Sequence, residues 1–187
     1  MKKYNPVEDN HNFIQSSATI SPIAIIGKNN YFGHGVIIYD NVSIGDNNYF
    51  GAYCIIGAKP ESREFFKESK QRVIIGSNNR FYKQVTIDGS TDKETIIADN
   101  CEFLKNSHVG HDAIIWNNVS LRCNAVVGGG CVINKGVVIG LNASIHQRVE
   151  IPKDVSIGMN SCVTKKQIIN EGFIYGGVPV RQLKKIK

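Results

Sequence analysis

Large apolar residues recur at every sixth position over most of the chain. Ile14, Ile20, Ile26, Phe32, Ile38, Ile44, Phe50 and Ile56 form one run, and Ile75, Phe81 and Ile87 form a short second one. A third runs from Ile97 through Phe103, Val109, Ile115, Leu121, Val127, Ile133, Ile139, Ile145, Ile151 and Ile157 to Val163. The next residue is often glycine, as at Gly27, Gly45, Gly76, Gly110 and Gly128. The residue two before is usually small or β-branched, as at Ala113, Val119, Ala125, Val137, Ala143 and Val155. A helix of period 3.6 does not hold one large apolar side chain at every sixth residue, and neither does a strand of strict period 2. A triangular coil does. Each six residues then make one short strand and one corner, and about 18 residues make a coil. The large side chains point inward and stack on those one coil away. Gly27-Lys28-Asn29-Asn30, Gly45-Asp46-Asn47-Asn48 and Gly76-Ser77-Asn78-Asn79 supply residues that tolerate corner backbone angles.

The register breaks twice, between Ile56 and Ile75 and between Ile87 and Ile97, where chain must be extruded from the prism. This predicts an N-terminal extension over 1–13, a β-helix over 14–164 with loops at about 58–72 and 88–96, and a C-terminal cap and basic tail over 165–187. The first loop, with charges and Phe65-Phe66, is a natural place for ligand contacts. Past Val163 a Gly176-Gly177-Val178-Pro179 turn is expected, then a short basic helix.

On this repeat the chain resembles the hexapeptide-repeat superfamily, which implies an all-β fold, a left-handed parallel β-helix, and assembly as a homotrimer with active sites between adjacent prisms. Outward Ile25 and Trp116 offer packing surface for such an assembly.

Composition narrows the function. The 187 residues are 42% hydrophobic with a net charge of +6, which excludes a disordered chain. No apolar stretch approaches a bilayer span, and Met1-Lys2-Lys3-Tyr4-Asn5-Pro6 leads into Glu8-Asp9-Asn10 rather than a signal core; a cytoplasmic protein without membrane insertion is expected. Five cysteines at positions 54, 101, 123, 131 and 162 show no CxxC spacing, so neither a disulfide framework nor a zinc site is expected. Cys54, Cys101 and Cys131 fall at the small inward position. The basic residues carry no interleaved aromatic platform, so no nucleic-acid partner is expected.

The chemistry concentrates around the histidines. In Asn106-Ser107-His108-Val109-Gly110-His111-Asp112, Val109 points inward, which leaves His108 and His111 on the outside. An imidazole there can act as a base, oriented by Asp112. One coil on, Gly128, Gly129 and Gly130 should cover Gly110, His111 and Asp112, leaving a groove without side chains where a thioester arm fits and a backbone N–H faces a developing oxyanion. His146, two coils on, falls on the same side.

Gly57 to His146 resembles the UDP-N-acetylglucosamine O-acyltransferases of lipid A synthesis, through Arg72-Val73-Ile74-Ile75-Gly76, Val85-Thr86-Ile87, His108-Val109-Gly110-His111-Asp112 and His146-Gln147. The resemblance implies His111 as general base, Gly129 as the oxyanion N–H, and His108 and His146 lining the substrate and acyl site. Asn106 and Asp88 are further substrate-binding candidates. The chain departs from that family at Gly130, where the family has histidine, and at Asp88-Gly89-Ser90-Thr91, where it has His-Arg-Gly-Thr. No counterpart of that family's helical C-terminal domain is expected after Lys187. Gly177-Val178-Pro179-Val180-Arg181 is instead similar to the ending of coenzyme A-dependent hexapeptide acetyltransferases. That likeness implies coenzyme A contacts from Lys165, Lys166 and Arg181, alongside Gly128 and Gly130 of the stacked groove. The expected function is transfer of acetyl from acetyl-CoA to an amino or hydroxyl group of a nucleotide-linked sugar. The second reading is O-acylation of a UDP-sugar from acyl carrier protein. Zinc chemistry, known on this fold with three histidines, would need a spacing other than His108-x-x-His111, and no metal is expected; a non-catalytic scaffold is the remaining class.

Overall fold

The computed structural model describes residues 11–61 and 72–186. Within them the chain is all strand and corner, wound as a left-handed parallel β-helix with three flat sides of ten, eight and seven strands. Most strands are two or three residues long, because each side of the prism is only one hexad wide. Register follows the coil: Phe13 pairs with Tyr31, Ile38 with Ile56, His108 with Val126 and Ile139 with Ile157. The two extrusions lengthen this step. Ile56 pairs with Ile87, and Ile87 with Val109, so the helix resumes in register once the extra chain has left it. The first loop lies mostly outside the described residues, as do 1–10 of the N-terminal extension and Lys187. The second is the segment 89–94 between strands Thr86–Asp88 and Thr95–Ile97.

The core is the column of inward residues. Phe32, Phe50, Phe81 and Phe103, all fully buried, stack with centroids 5.1, 4.7 and 4.7 Å apart and rings nearly parallel. Each contributes about 1.5–3 kcal/mol by burial. Two residues before three of these phenylalanines stands a buried asparagine rather than a small apolar residue. Asn30, Asn48 and Asn79 form a ladder: Nδ2 donates to the carbonyls of Gly45, Gly76 and Ala98, and Oδ1 accepts the N–H of Asn48, Asn79 and Cys101. The amide is tolerated inside because both its ends are paired. At corners many residues lie at positive φ, among them Asn29, Asn47, Asn78 and Asn100, a conformation that asparagine accepts more readily than most.

The C-terminal segment differs from the expected helix. Strand Phe173–Gly176 extends the ten-stranded sheet, with Tyr175 opposite Ile157, and Arg181–Lys185 returns antiparallel to it. A sheet end exposes unpaired N–H and C=O groups, and a returning strand satisfies them where a helix would not. Among the described residues no helix is long and apolar enough to cross a membrane.

Candidate functional site

Strand His108–Val109 ends at a corner formed by Gly110, His111 and Asp112. The next coil brings Gly128, Gly129 and Gly130 over it, with Gly110 donating to the Val127 carbonyl and Gly130 to that of His111. The fit is close. A Cβ on Gly110 would stand 2.8 Å from the Gly129 nitrogen, and one on Gly129 would stand 2.6 Å from His111 Nε2. The imidazole therefore lies against a bare Cα. Among the described residues the Gly129 N–H has no acceptor. At the same hexad position on another side of the prism, the N–H groups of Lys28, Asp46 and Ser77 are capped by Asp46, Ser77 and Asp99 from the following coil; on the side of Gly129, the N–H groups of His111 and Gln147 are uncapped as well among the described residues. What sets Gly129 apart on that side is the His111 imidazole packed against it.

His111 Nδ1 lies 2.7 Å from Asp112 Oδ2. An ionised carboxylate only accepts, so this contact puts the hydrogen on Nδ1 and leaves the Nε2 lone pair facing Gly129. Asp112 is in turn held by the second extrusion. Its Oδ1 accepts the N–H groups of Thr91, Asp92 and Lys93 at 2.8, 3.1 and 3.1 Å, and its Oδ2 also accepts the Thr91 hydroxyl. Burial pushes the Asp112 carboxyl up, but hydrogen bonds from Thr91, His111 and the backbone outweigh it and hold the group below the ordinary carboxylate value.

Beside this dyad lies a second pair. Asp88, nearly buried, points its Oδ2 to 3.8 Å from His108 Nε2, while His108 Nδ1 meets the Thr86 hydroxyl at 2.8 Å. Burial raises the Asp88 pKa; attraction to His108 opposes this, Glu61 adds to it, and His111 opposes it. A cavity of about 370 Å³ opens in front, lined by Thr91, Lys93, His111, Gly129, Gln147 and Arg148 among others. A larger hollow of about 510 Å³ at another corner, around Trp116, Lys135, Glu150 and Lys153, contains no histidine; the smaller cavity is the one that holds the His111–Asp112 dyad.

The candidates fall into groups. His111, Asp112, Gly129 and Gly130 share the cavity, with Gly128 at its corner and Asp88 and His108 alongside. His146 is exposed just before Gln147, its Nδ1 3.1 Å from the Gln147 carbonyl, and is not part of the cavity lining. The strand register, with Ile145 opposite Val163, carries exposed Lys165 and Lys166 over Gln147 and Arg148, on the same corner as the groove. Arg181 sits on the returning strand of the ten-stranded sheet. Asn106 stands at the other end of its strand from His111, in an exposed amide ladder with Asn124, Asn142 and Asn160. Thr91, Lys93 and Arg148 were not among the sequence candidates. Arg148 is coupled to the absence of a side chain at Gly130, whose Cβ would meet its Cγ at 3.2 Å. Among the described residues no group of three or more His, Cys, Asp or Glu is placed to hold a metal.

The profile of the bacterial transferase hexapeptide (six repeats) family matches residues 23–58. A curated acyl-[acyl-carrier-protein]–UDP-N-acetylglucosamine O-acyltransferase of Campylobacter lari is 32% identical over 105 residues, 54% of this chain; the chain spans only 40% of that protein's length. Among solved structures, UDP-N-acetylglucosamine acyltransferase from Campylobacter jejuni is 27% identical with a TM-score of 0.85, covering 94% of this chain and 69% of its own. The corresponding Bacteroides fragilis enzyme is 25% identical with a TM-score of 0.77, over 92% of this chain and 74% of its own.

Proposed function

We propose that this chain, which fits the hexapeptide-repeat acyltransferase superfamily in repeat, fold and relatives, transfers an acyl group from a thioester to an amino or hydroxyl group of a nucleotide-linked sugar. The observation that carries this reading is the His111 imidazole against Gly129, whose N–H has no acceptor among the described residues. His111 Nε2 takes the proton of the acceptor as its nitrogen or oxygen attacks the thioester carbonyl. The carbonyl oxygen becomes an oxyanion within reach of the Gly129 N–H, and Asp112 balances the imidazolium. Collapse breaks the C–S bond, and the departing thiolate receives the proton from His111. Base catalysis supplies about 10²- to 10⁴-fold, and one oxyanion donor about 10²- to 10³-fold, in such reactions.

The acceptor side is assigned to Asp88 and His108. A buried carboxylate whose pKa burial raises, with Glu61 nearby, can take one proton from a bound ammonium and leave the free amine that attacks, which favours N-acylation of an amino sugar. For the donor, acetyl-CoA is the leading assignment, with Lys165 and Lys166 continuing the groove corner as contacts for its phosphates. The names of the relatives favour a second reading, an acyl-carrier-protein donor and a sugar hydroxyl. A homotrimer in the cytoplasm belongs to both. Thermal stabilisation by coenzyme A, acetyl-CoA, acyl carrier protein loaded with acyl chains, and UDP- and dTDP-linked amino sugars separates them. Stabilisation by coenzyme A species together with one amino sugar, and transfer lost in His111→Ala, is the expected result. A response only to the acyl carrier protein would replace the donor, and transfer undiminished in His111→Ala would remove the mechanism.

A further inference from the structure

The segment 89–94 has left the helix, yet it is folded back onto one carboxylate. Asp112 stands at φ 58°, in the left-handed region, and donates its own N–H to the Thr95 hydroxyl at 2.9 Å. Its Oδ1 is gripped by three successive N–H groups, those of Thr91, Asp92 and Lys93. Three donors on a single oxygen fix that atom but leave the carboxylate free to pivot about it. Oδ2 is the atom that matters for His111, and among the described residues its other partner is the Thr91 hydroxyl.

We propose that Thr91 is a positioning residue for the His111–Asp112 dyad: its hydroxyl supplies the second point of attachment that stops the carboxylate from pivoting, and so keeps the imidazole hydrogen on Nδ1 and Nε2 turned to Gly129. Thr91 touches no reacting atom and acts through Asp112. The role deepens the acyl-transfer reading and rests on it, because a fixed tautomer has value only if Nε2 accepts a proton. It also accounts for the fold-back of the second extrusion, which positions the base from outside the repeat.

Other charges surround the imidazole. Asp88 faces it from the end of strand Thr86–Asp88, His108 from its own strand, Asp92 and Lys93 from the extruded segment, and Arg148 from the coil above. A change of loop structure that moved Lys93 or Asp92 would alter the pH response without any part for the Thr91 hydroxyl. The test must therefore read the dyad itself.

It compares the free full-length protein with Thr91→Val and Thr91→Ser, labelled with ¹⁵N-histidine and ¹³C-carboxyl aspartate. Asp112 is below the ordinary carboxylate value, with the Thr91 side chain the first of the bonds that lower it. In Thr91→Val the Asp112 carboxyl resonance should titrate at higher pH, the His111 ¹⁵N shifts should change from the Nδ1–H form to a mixture of tautomers, and kcat should fall about tenfold with KM unchanged. Thr91→Ser should restore all three. An unchanged tautomer and Asp112 titration in Thr91→Val would overturn the proposal, and so would a lower Tm with both unchanged, which assigns Thr91 to loop packing alone. The resonances need no substrate. A chain with the expected spectra that transfers no acyl group would sink the functional reading and leave the role of Thr91 in place.

Discussion

His111 Nε2 lies only 2.6 Å from the point where a Cβ on Gly129 would stand. Gly129 is not at positive φ, so alanine fits its backbone, and the three atoms its Cβ would approach most closely all belong to the imidazole. Gly129→Ala is therefore a selective way to push the base from its place while keeping the N–H. A displacement of about 1 Å in a positioned group costs on the order of 100-fold in rate. Acyl transfer by Gly129→Ala should fall by about that factor with little change in Tm. Full activity in the alanine variant would show that the ring does not need this seat.

Asp88 should be a stability cost that serves the site. Burial is the main cause of its raised pKa, so between the ordinary carboxylate value near ~4 and its higher folded value the native state binds more protons than the unfolded chain. Stability then falls as pH rises through that window, and the cost is complete above it. Asp88→Asn removes the charge at similar volume. Its Tm should exceed that of the parent at pH 7, and the gain should shrink to nothing near pH 4. A Tm equal to the parent's or lower at pH 7 would mean that attraction to His108 outweighs burial. Turnover of an amine acceptor should drop in the same variant.

Phe81 lies between Phe50 and Phe103 at 4.7 Å from each, and no atom of it reaches solvent. Truncation leaves a cavity that two flat rings on either side cannot close. Phe81→Ala should cost about 3–5 kcal/mol in chemical denaturation. Phe13, more than half exposed and stacked on Tyr31 outside the same sheet, should cost under about 1 kcal/mol on the same change. Equal losses at the two positions would argue that the outer aromatic stack, rather than the inner column, carries the stability.

These contrasts mark what could be read from the chain. Phe81 over Phe50, and Gly129 over His111, follow from counting, because an inward residue every six positions fixes both the face and the coil on which its neighbours fall. The Thr91–Asp112 contact does not follow. The second extrusion adds residues that belong to no hexad, and which of them reaches Asp112 depends on how that segment folds back. The Asn30–Asn48–Asn79 ladder was also hidden, since polar residues at a small inward position read as corner chemistry until their partners are known. Arg181–Lys185 looks helical by composition. It becomes a strand because Phe173–Gly176 presents an open edge beside it, a tertiary demand that outweighs local preference.

The cysteines give a test of how tightly the coils close. Cys54, Cys101 and Cys131 sit inside with their thiols directed to the carbonyls of Tyr82, Trp116 and His146. Burial pushes Cys54 and Cys101 up to about 11 and raises Cys131 as well. The thiolate is the reactive form, so these three should resist alkylation at pH 8, whereas the half-exposed Cys123 and Cys162 should react. Iodoacetamide followed by peptide mass mapping should mark two of the five sites in native protein and all five in denaturant. Cys131 is the informative one, because it directly follows the Gly128-Gly129-Gly130 corner. Its modification under native conditions would mean that the coil over His111 opens, and that the close seat of the imidazole on Gly129 is not held continuously.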